Sequence, residues 1–292
     1  MNQKRVLVLG DAMVDVVVRA LEPVHLTSDT SSKVRLGRGG SAANIAVELA
    51  LDHWVAFVGA VGEDAAGEVF LHALRAADVK PLVQVLPGST GVVVAFVNDD
   101  GERAMLTDRG VNARLSDEMV RDALAVPFDH LHVSGYTFLE SRTRRIATEA
   151  LGTARQLGAS TSVDVCSVGP LHRLGATAFL KAIGRVTWLF ANHEEACALG
   201  ESRSLQRALI SVRAHAEEIV VTLGADGALV VSEGDVVRKP SREVDVIDTT
   251  GAGDAATGAY LSKRLSGRSR DQSLELAMSR ASKVVRKLGS RA

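Results

Sequence analysis

Hydrophobic positions in this chain come in blocks. Val6-Leu7-Val8-Leu9 is a continuous apolar run, the pattern of a strand buried on both faces. Further strand candidates fall at residues 54–59, 130–134, 161–165, 186–190, 219–223 and 228–231. Helical spacing of apolar residues occupies 65–77, 116–125, 141–157, 194–199, 205–215, 255–265 and 274–288. Regular strand–helix alternation predicts a three-layer α/β/α domain over 1–292, with a central, mainly parallel sheet covered on both faces.

Two stretches break the alternation. Val16-Val17-Val18 and Lys33-Val34-Arg35-Leu36 read as short strands with no helix between them. The run from Thr90 to Val97 meets a second one, Glu102 to Leu106, across Asn98-Asp99-Asp100-Gly101, and Asp-Gly between apolar runs signals a hairpin. Inserts at about 14–37 and 90–108 are therefore expected to form a small β-sheet standing off the main one, as a lid and a homodimer surface.

Composition narrows the partners. A hydrophobic fraction of 46% supports a sizeable core, and a net charge of −1 gives no reason to expect nucleic acid or an acidic membrane surface. The apolar run at 6–9 is too short for a signal peptide or a membrane span. The two cysteines, Cys166 and Cys197, form no C-x-x-C pair and read as small core residues in a reduced, cytoplasmic setting. The histidines show no metal-ligand spacing, and neither a Walker-type phosphate loop, nor a Gly-x-Gly-x-x-Gly after the first strand, nor a Gly-x-Ser-x-Gly elbow is present.

Chemistry concentrates in Asp248-Thr249-Thr250-Gly251-Ala252-Gly253-Asp254, which leads into the alanine-rich helix at 255–265. Small residues at a helix start leave backbone N–H groups open to an anion, and the helix dipole favours negative charge there. Asp254 has two readings: an N-cap, or a base beside an anion cradle, which suits transfer of a phosphoryl group to a hydroxyl. The flanking glycines favour the second.

Other polar signals lie just after strands, where open parallel sheets bind ligands. Asp11 and Asp15 follow the first strand. Gly37-Arg38-Gly39-Gly40-Ser41-Ala42-Ala43-Asn44 opens a helix, its glycines serving either a ligand or tight packing. Asn192 and Glu195 have the spacing of a capping box and equally of an oxygen pair near a hydrated Mg²⁺. Thr222-Leu223-Gly224-Ala225-Asp226-Gly227 reads as a hairpin-like turn able to meet a nucleotide, or as an ordinary turn.

Together, Gly39 to Asn44 and Asp248 to Asp254 resemble the two signatures of the ribokinase-like (PfkB) carbohydrate kinases, and the other motifs come in that family's order along nearly the whole chain. The resemblance implies an ATP-dependent kinase acting on a primary hydroxyl of a small-molecule sugar. It assigns Asp254 as base and Gly251, Ala252 and Gly253 as anion hole. It gives the acceptor Asp11, Asp15, Gly39, Gly40 and Asn44, with Arg109 and Tyr136 at the matching places after the hairpin and after the strand at 130–134. Asn192 and Glu195 match the pair that organises Mg²⁺ and phosphate; Thr222, Gly224, Asp226 and Gly227 fall on the nucleotide side. Asp248 and Thr250 resemble a loop that binds a monovalent cation, usually K⁺, in some members. Ribokinases proper tend to carry Lys where this chain has Ser41 and Glu near Tyr136, which argues against ribose itself. Arg109 and Asn112 resemble an Arg-x-x-Asn segment of fructokinase- and ketogluconate-kinase-like members. A nucleoside kinase of the adenosine type is the alternative within the fold, leaned against by an aromatic content of 4%, and a non-catalytic sugar or nucleotide sensor is the alternative outside it.

Overall fold

Alternate residues of an apolar strand face opposite sides of its sheet, so a run buried throughout needs cover on both. The first strand does this: Val6 and Val8 join one hydrophobic cluster, Leu7 and Leu9 another. The computed structural model describes residues 3–97, 103–242, 244–245 and 249–286.

From the N-terminus run β1 (Arg5–Leu9), β2 (Met13–Ala20), β3 (Ser32–Gly39), α1 (Ser41–Ala50), β4 (Trp54–Gly62), α2 (Ala65–Ala76) and β5 (Val79–Leu86). Then come β6 (Gly91–Val97), β7 (Arg103–Asp108), α3 (Asp117–Leu124), β8 (His130–Ser134), α4 (Ser141–Gln156), β9 (Ser160–Asp164), α5 (Val168–Leu174) and α6 (Ala176–Ile183). The C-terminal part holds β10 (Val186–Asn192), α7 (His193–Leu199), α8 (Leu205–Val212), β11 (Ala216–Thr222), β12 (Ala228–Ser232), β13 (Asp235–Lys239), α9 (Ala252–Leu265) and α10 (Arg270–Val284).

Nine strands make the main sheet, in the order β13-β12-β11-β10-β9-β8-β1-β4-β5. Seven of them are parallel, and β12 and β13 continue the sheet antiparallel. One face carries side chains of α1, α2, α9 and α10, among them Ile45, Phe70, Tyr260 and Leu274. The other carries those of α3, α4, α6, α7 and α8, including Val120, Ile146, Phe179, Leu199 and Leu209. No helix among the described residues is long and apolar enough to cross a membrane.

A second sheet of four strands runs β3-β2-β6-β7. β2 pairs antiparallel with β3 and parallel with β6, so the two irregular stretches of sequence meet in one sheet. β6 and β7 pair antiparallel as the hairpin pattern predicts; the turn at 98–102 lies outside the described residues.

Several boundaries differ from expectation for identifiable reasons. Asp15 sits inside β2, paired with Gly37 and Val93, and not in the turn after β1. β5 escapes the sequence pattern because Lys80, Pro81 and Gln84 interrupt its apolar run, which an edge strand tolerates. α10 starts at Arg270, four residues ahead of the apolar pattern, where Ser269 and Gln272 form a capping box. α9 likewise starts at Ala252, ahead of the alanine run.

Candidate active site

α9 owes its start to Gly251, whose φ of 77° lies in the left-handed region that glycine adopts without strain. Asp254 is therefore the third residue of the helix and not its N-cap, which removes the capping explanation for this carboxylate. Ala252 N–H is already engaged by the Thr249 carbonyl (3.2 Å), whereas the N–H groups of Gly253 and Asp254 have no backbone partner among the described residues. A Cβ placed on Gly253 would meet nothing within 4 Å, so the helix start faces open space.

That space is a cavity of about 700 Å³ at the carboxyl ends of the parallel strands. Asp11 reaches it from the end of β1, Ser134 from β8, Asp164 from β9, Asn192 from β10 and Thr222 from β11. Asp15 enters from the small sheet and Thr250, Gly251, Gly253 and Asp254 from the start of α9. Gly40, Asn44, Arg109, Tyr136 and Glu195 complete the expected residues on its wall. Five do not line it: Gly39, Ala252, Gly224, Asp226 and Gly227. The last three form the turn between β11 and β12, closed by Leu223 N–H to the Gly227 carbonyl (2.8 Å). Gly227, at φ 91° with the Lys239 carbonyl 2.0 Å from any added Cβ, is glycine for packing. Asp248 lies outside the described residues.

The two glycine-led helices meet. Asn44 Nδ2 donates to Asp254 Oδ2 (2.8 Å), and one turn along, Gly258 lets α9 approach Glu48 of α1 so closely that a Cβ would stand 2.7 Å from Glu48 Cβ. Glu48 is in turn held by two bonds of 2.6 Å from Arg280 of α10. At its far end α9 is anchored by the buried Glu218, which accepts from Tyr260 Oη (2.7 Å), Trp188 Nε1 (2.8 Å) and Arg264 Nη2 (2.6 Å). Asp254 thus rides on a helix fixed at both ends.

On the small-sheet side, Arg109 donates to both oxygens of Asp11 (2.7 and 3.0 Å) and to the Tyr136 carbonyl (3.1 Å). The salt bridge joins two residues of the expected acceptor set. Asn112 does a different job: it holds Ala12 through N–H and carbonyl bonds of 2.8 and 2.9 Å, fixing the segment that carries Asp11. Gly39 and Gly40 serve packing, because an added Cβ would fall 1.9 Å from Asp15 Oδ1 at the first and 2.8 Å from the Asp11 carbonyl at the second.

Asn192 and Glu195 form the capping box their spacing allows, with Glu195 N donating to Asn192 Oδ1 and Asn192 N to Glu195 Oε2, both at 2.8 Å. The box leaves the buried Glu195 carboxylate on the cavity wall beside further negative charge. Burial, together with the Asp254 charge, pushes Glu195 up to about 7. Burial pushes Asp164 up to about 8, with Glu195 and Asp254 adding to the rise. Asp15 goes up to about 6 through burial and Asp254, against the pull of Arg38.

Three residues on or near the wall were missed. Asp164 ends β9 at the carboxyl edge of the sheet, as Asp11 follows β1, but its strand is largely polar in sequence; it accepts from Thr257 of α9 (3.0 Å). Arg38 stood inside the first glycine motif and donates to Asn44 Oδ1 (2.6 Å). Cys166 is a wall residue and no core residue: its thiol packs between Ser134 and Ser41, and burial beside Asp164 holds it well above the usual thiol range. Cys197 is also only half-buried.

A family model described as pfkB family carbohydrate kinase matches residues 3–292. An ATP-dependent ribose-1-phosphate kinase of Halopiger xanaduensis is 31% identical over 277 residues, covering 94% of this chain and 89% of its own. A ribokinase of Schizosaccharomyces pombe is 28% identical across 98% of this chain and 93% of its own. The crystal structure of adenosine kinase from Sinorhizobium meliloti superposes with a TM-score of 0.90 at 30% identity, over 100% of this chain and 96% of that one.

Proposed function

Because the chain belongs to the pfkB family of carbohydrate kinases, and so is an ATP-dependent phosphotransferase, we propose that it moves the γ-phosphoryl group of ATP to the primary hydroxyl of a ribosyl compound substituted at C1. The observation that carries this reading is the placement of Asp254: its carboxylate shares the cavity with Gly251 and Gly253 at an open helix start. The three relatives' names specify ribose 1-phosphate, ribose and adenosine, which have a ribose unit with a primary hydroxyl in common. Ser41 and Tyr136, at positions where ribokinases carry Lys and Glu, favour the substituted forms over free ribose.

In this mechanism the acceptor lies between the small sheet and α9, bounded by Asp11, Asp15, Asn44, Arg109 and Tyr136. Asp254 accepts the hydroxyl proton as the oxygen attacks, and the N–H groups at the start of α9 meet the charge on the transferring oxygens. Gly224, Asp226 and Gly227, off the cavity wall, remain on the nucleotide side as the rim of the turn after β11. Thr222 and Asn192 face the ATP phosphates, and the apolar wall of Val220, Ala228, Leu274 and Met278 suits the adenine.

Mg²⁺ fits the donor set: Glu195 and Asp164 are carboxylates held part-protonated by their surroundings, and a divalent cation relieves that crowding. No group of three or more His, Cys, Asp or Glu among the described residues is arranged to hold a metal ion, which suits an ion carried mainly by water and ATP phosphates. When bound, it neutralises charge on the phosphates. The segment holding Asp248 and Thr250 is assigned to a monovalent cation; activity that rises with K⁺ and not with Li⁺ tests it.

The small sheet serves as lid and homodimer surface. Met13, Asp15, Val93, Met105 and Thr107 face the cavity, and the register puts Val34, Leu36, Phe96 and Leu106 on the opposite face of the sheet. Val34, Leu36, Phe96 and Leu106 there are 60%, 57%, 38% and 62% exposed, an apolar face that a second copy would cover. Leu36→Lys with Leu106→Lys is expected to give monomers by analytical ultracentrifugation.

An ADP-release screen over ribose 1-phosphate, adenosine, ribose, fructose and 2-keto-3-deoxygluconate tests the function. Turnover with a C1-substituted ribose supports it, turnover with fructose or the ketogluconate alone moves the acceptor class, and ADP release with none of them favours a sensor.

A further inference from the structure

We propose that Arg38 is a positioning residue: by fixing the Asn44 amide it ties the small sheet to Asp254 and decides which carboxylate oxygen is left for the acceptor. This rests on Asp254 being the base.

The geometry makes the amide's orientation a consequence of its neighbours. A guanidinium can only donate and a carboxylate can only accept. With Arg38 Nη1 2.6 Å from one side of the Asn44 amide and Asp254 Oδ2 2.8 Å from the other, Asn44 must turn its oxygen to Arg38 and its nitrogen to Asp254. Among the described residues Asn44 is the only hydrogen-bond partner of the Asp254 carboxylate. One oxygen of the base is thus occupied by a donor set in place from the small sheet, and the other meets the incoming hydroxyl.

The connection is stiff. Arg38 sits at the end of β3, paired with Val14 of β2. Two residues separate it from α1, and neither has slack: Gly39 lies under the Asp15 carboxylate, and Gly40, at φ 88°, lies against the Asp11 carbonyl. A shift of the small sheet therefore reaches the Asn44 amide through two packed glycines and the first turn of α1. Arg38 also supplies the counter-charge where Asp15 of β2 and Asp254 of α9 face each other.

The test is a double-variant cycle on ADP release. Arg38→Met is expected to lower kcat/KM roughly 10- to 100-fold, the size of one charge-assisted hydrogen bond. Arg38→Lys, which keeps the charge and a donor, should recover most of that loss. The acid limb of the pH profile should move to higher pH in Arg38→Met, because the Arg38 charge is what pulls the raised Asp15 carboxyl back down. Combining Arg38→Met with Asn44→Ala should cost clearly less than the product of the two single losses, since the part carried by the amide can be lost only once. Additive losses, or an unmoved acid limb, overturn the proposal. If wild type releases no ADP with any acceptor, the kinase reading fails by itself. Arg38 is then judged by NMR of the Asn44 side-chain amide, expected with the dispersed shifts of a fixed side chain in wild type and with the near-free shifts of a mobile one in Arg38→Met; identical spectra overturn it.

Discussion

α1 and α9 both begin on a glycine in the left-handed region, Gly40 at φ 88° and Gly251 at φ 77°, and neither has a side-chain cap. They differ in what stands in front of them. At α1 the protein's own atoms fill the approach: the Asp11 carbonyl is 2.8 Å from a Cβ on Gly40, and Asp15 closes over Gly39. At α9 a Cβ on Gly253 would touch nothing within 4 Å. A glycine pressed against backbone is there so that two segments can approach; a glycine facing a void leaves N–H groups for something that arrives later. The first motif builds the frame that holds Asn44, and the second presents the reacting group.

The largest effect that can break this contrast is at the base. Asp254→Asn should lower turnover by about 10²–10⁴-fold while the melting temperature stays near that of wild type, since the helix is anchored through Gly258 and Glu218 and not through this side chain. Near-normal turnover in that variant would remove the role of base. Next is the open glycine. Gly253→Val fills the space in front of the free N–H groups and should cost about 10²–10³-fold in kcat, with little change in stability. Gly40→Ala should behave in the opposite way. Its Cβ meets both a strained φ and the Asp11 carbonyl, so the variant loses about 1–3 kcal/mol of stability by denaturant unfolding. If Gly253→Val unfolds the protein and Gly40→Ala only slows it, the assignments are reversed.

The same contrast explains what could be read from sequence. The parallel sheet was legible because β1 and β4, buried on both faces, are written as apolar runs and the later strand candidates alternate with stretches of helical spacing. β5 was not, since an edge strand need not be apolar throughout and Lys80, Pro81 and Gln84 hide it. α5 and α6 escaped because together they span only residues 168–183 and meet at Gly175, too short for a helical period to declare itself. In the site, Asp254, Asn44 and Glu195 could be placed because local spacing fixes where a helix turn points them. Arg38 could not be given a role, because its partner Asn44 matters only through Asp254, 210 residues further on. Nor does sequence tell a packed glycine from an open one: Gly39 and Gly253 differ only in what the fold brings near them.

The smallest expected effect is one of pH, and it tests the packed side of the comparison. Asp15 closes over Gly39, and burial with Asp254 nearby raises it to about 6, above its ordinary 3.8. A carboxyl whose folded-state value lies above its unfolded one binds its proton more tightly when folded. Its contribution to stability is complete below about pH 4 and is lost as pH rises through 6. Asp164 and Glu195, raised to about 8 and about 7, add losses that continue to higher pH. Asp15→Asn should therefore flatten the fall in stability between about pH 4 and 6 by up to one proton's worth, about 1.4 kcal/mol per pH unit, and leave the fall between about pH 6.5 and 8 unchanged. Urea unfolding at four or five pH values reads both windows. A variant with the wild-type slope below pH 6 would mean that Asp15 is ionised and solvated in the folded protein, and that its carboxyl does not cover Gly39.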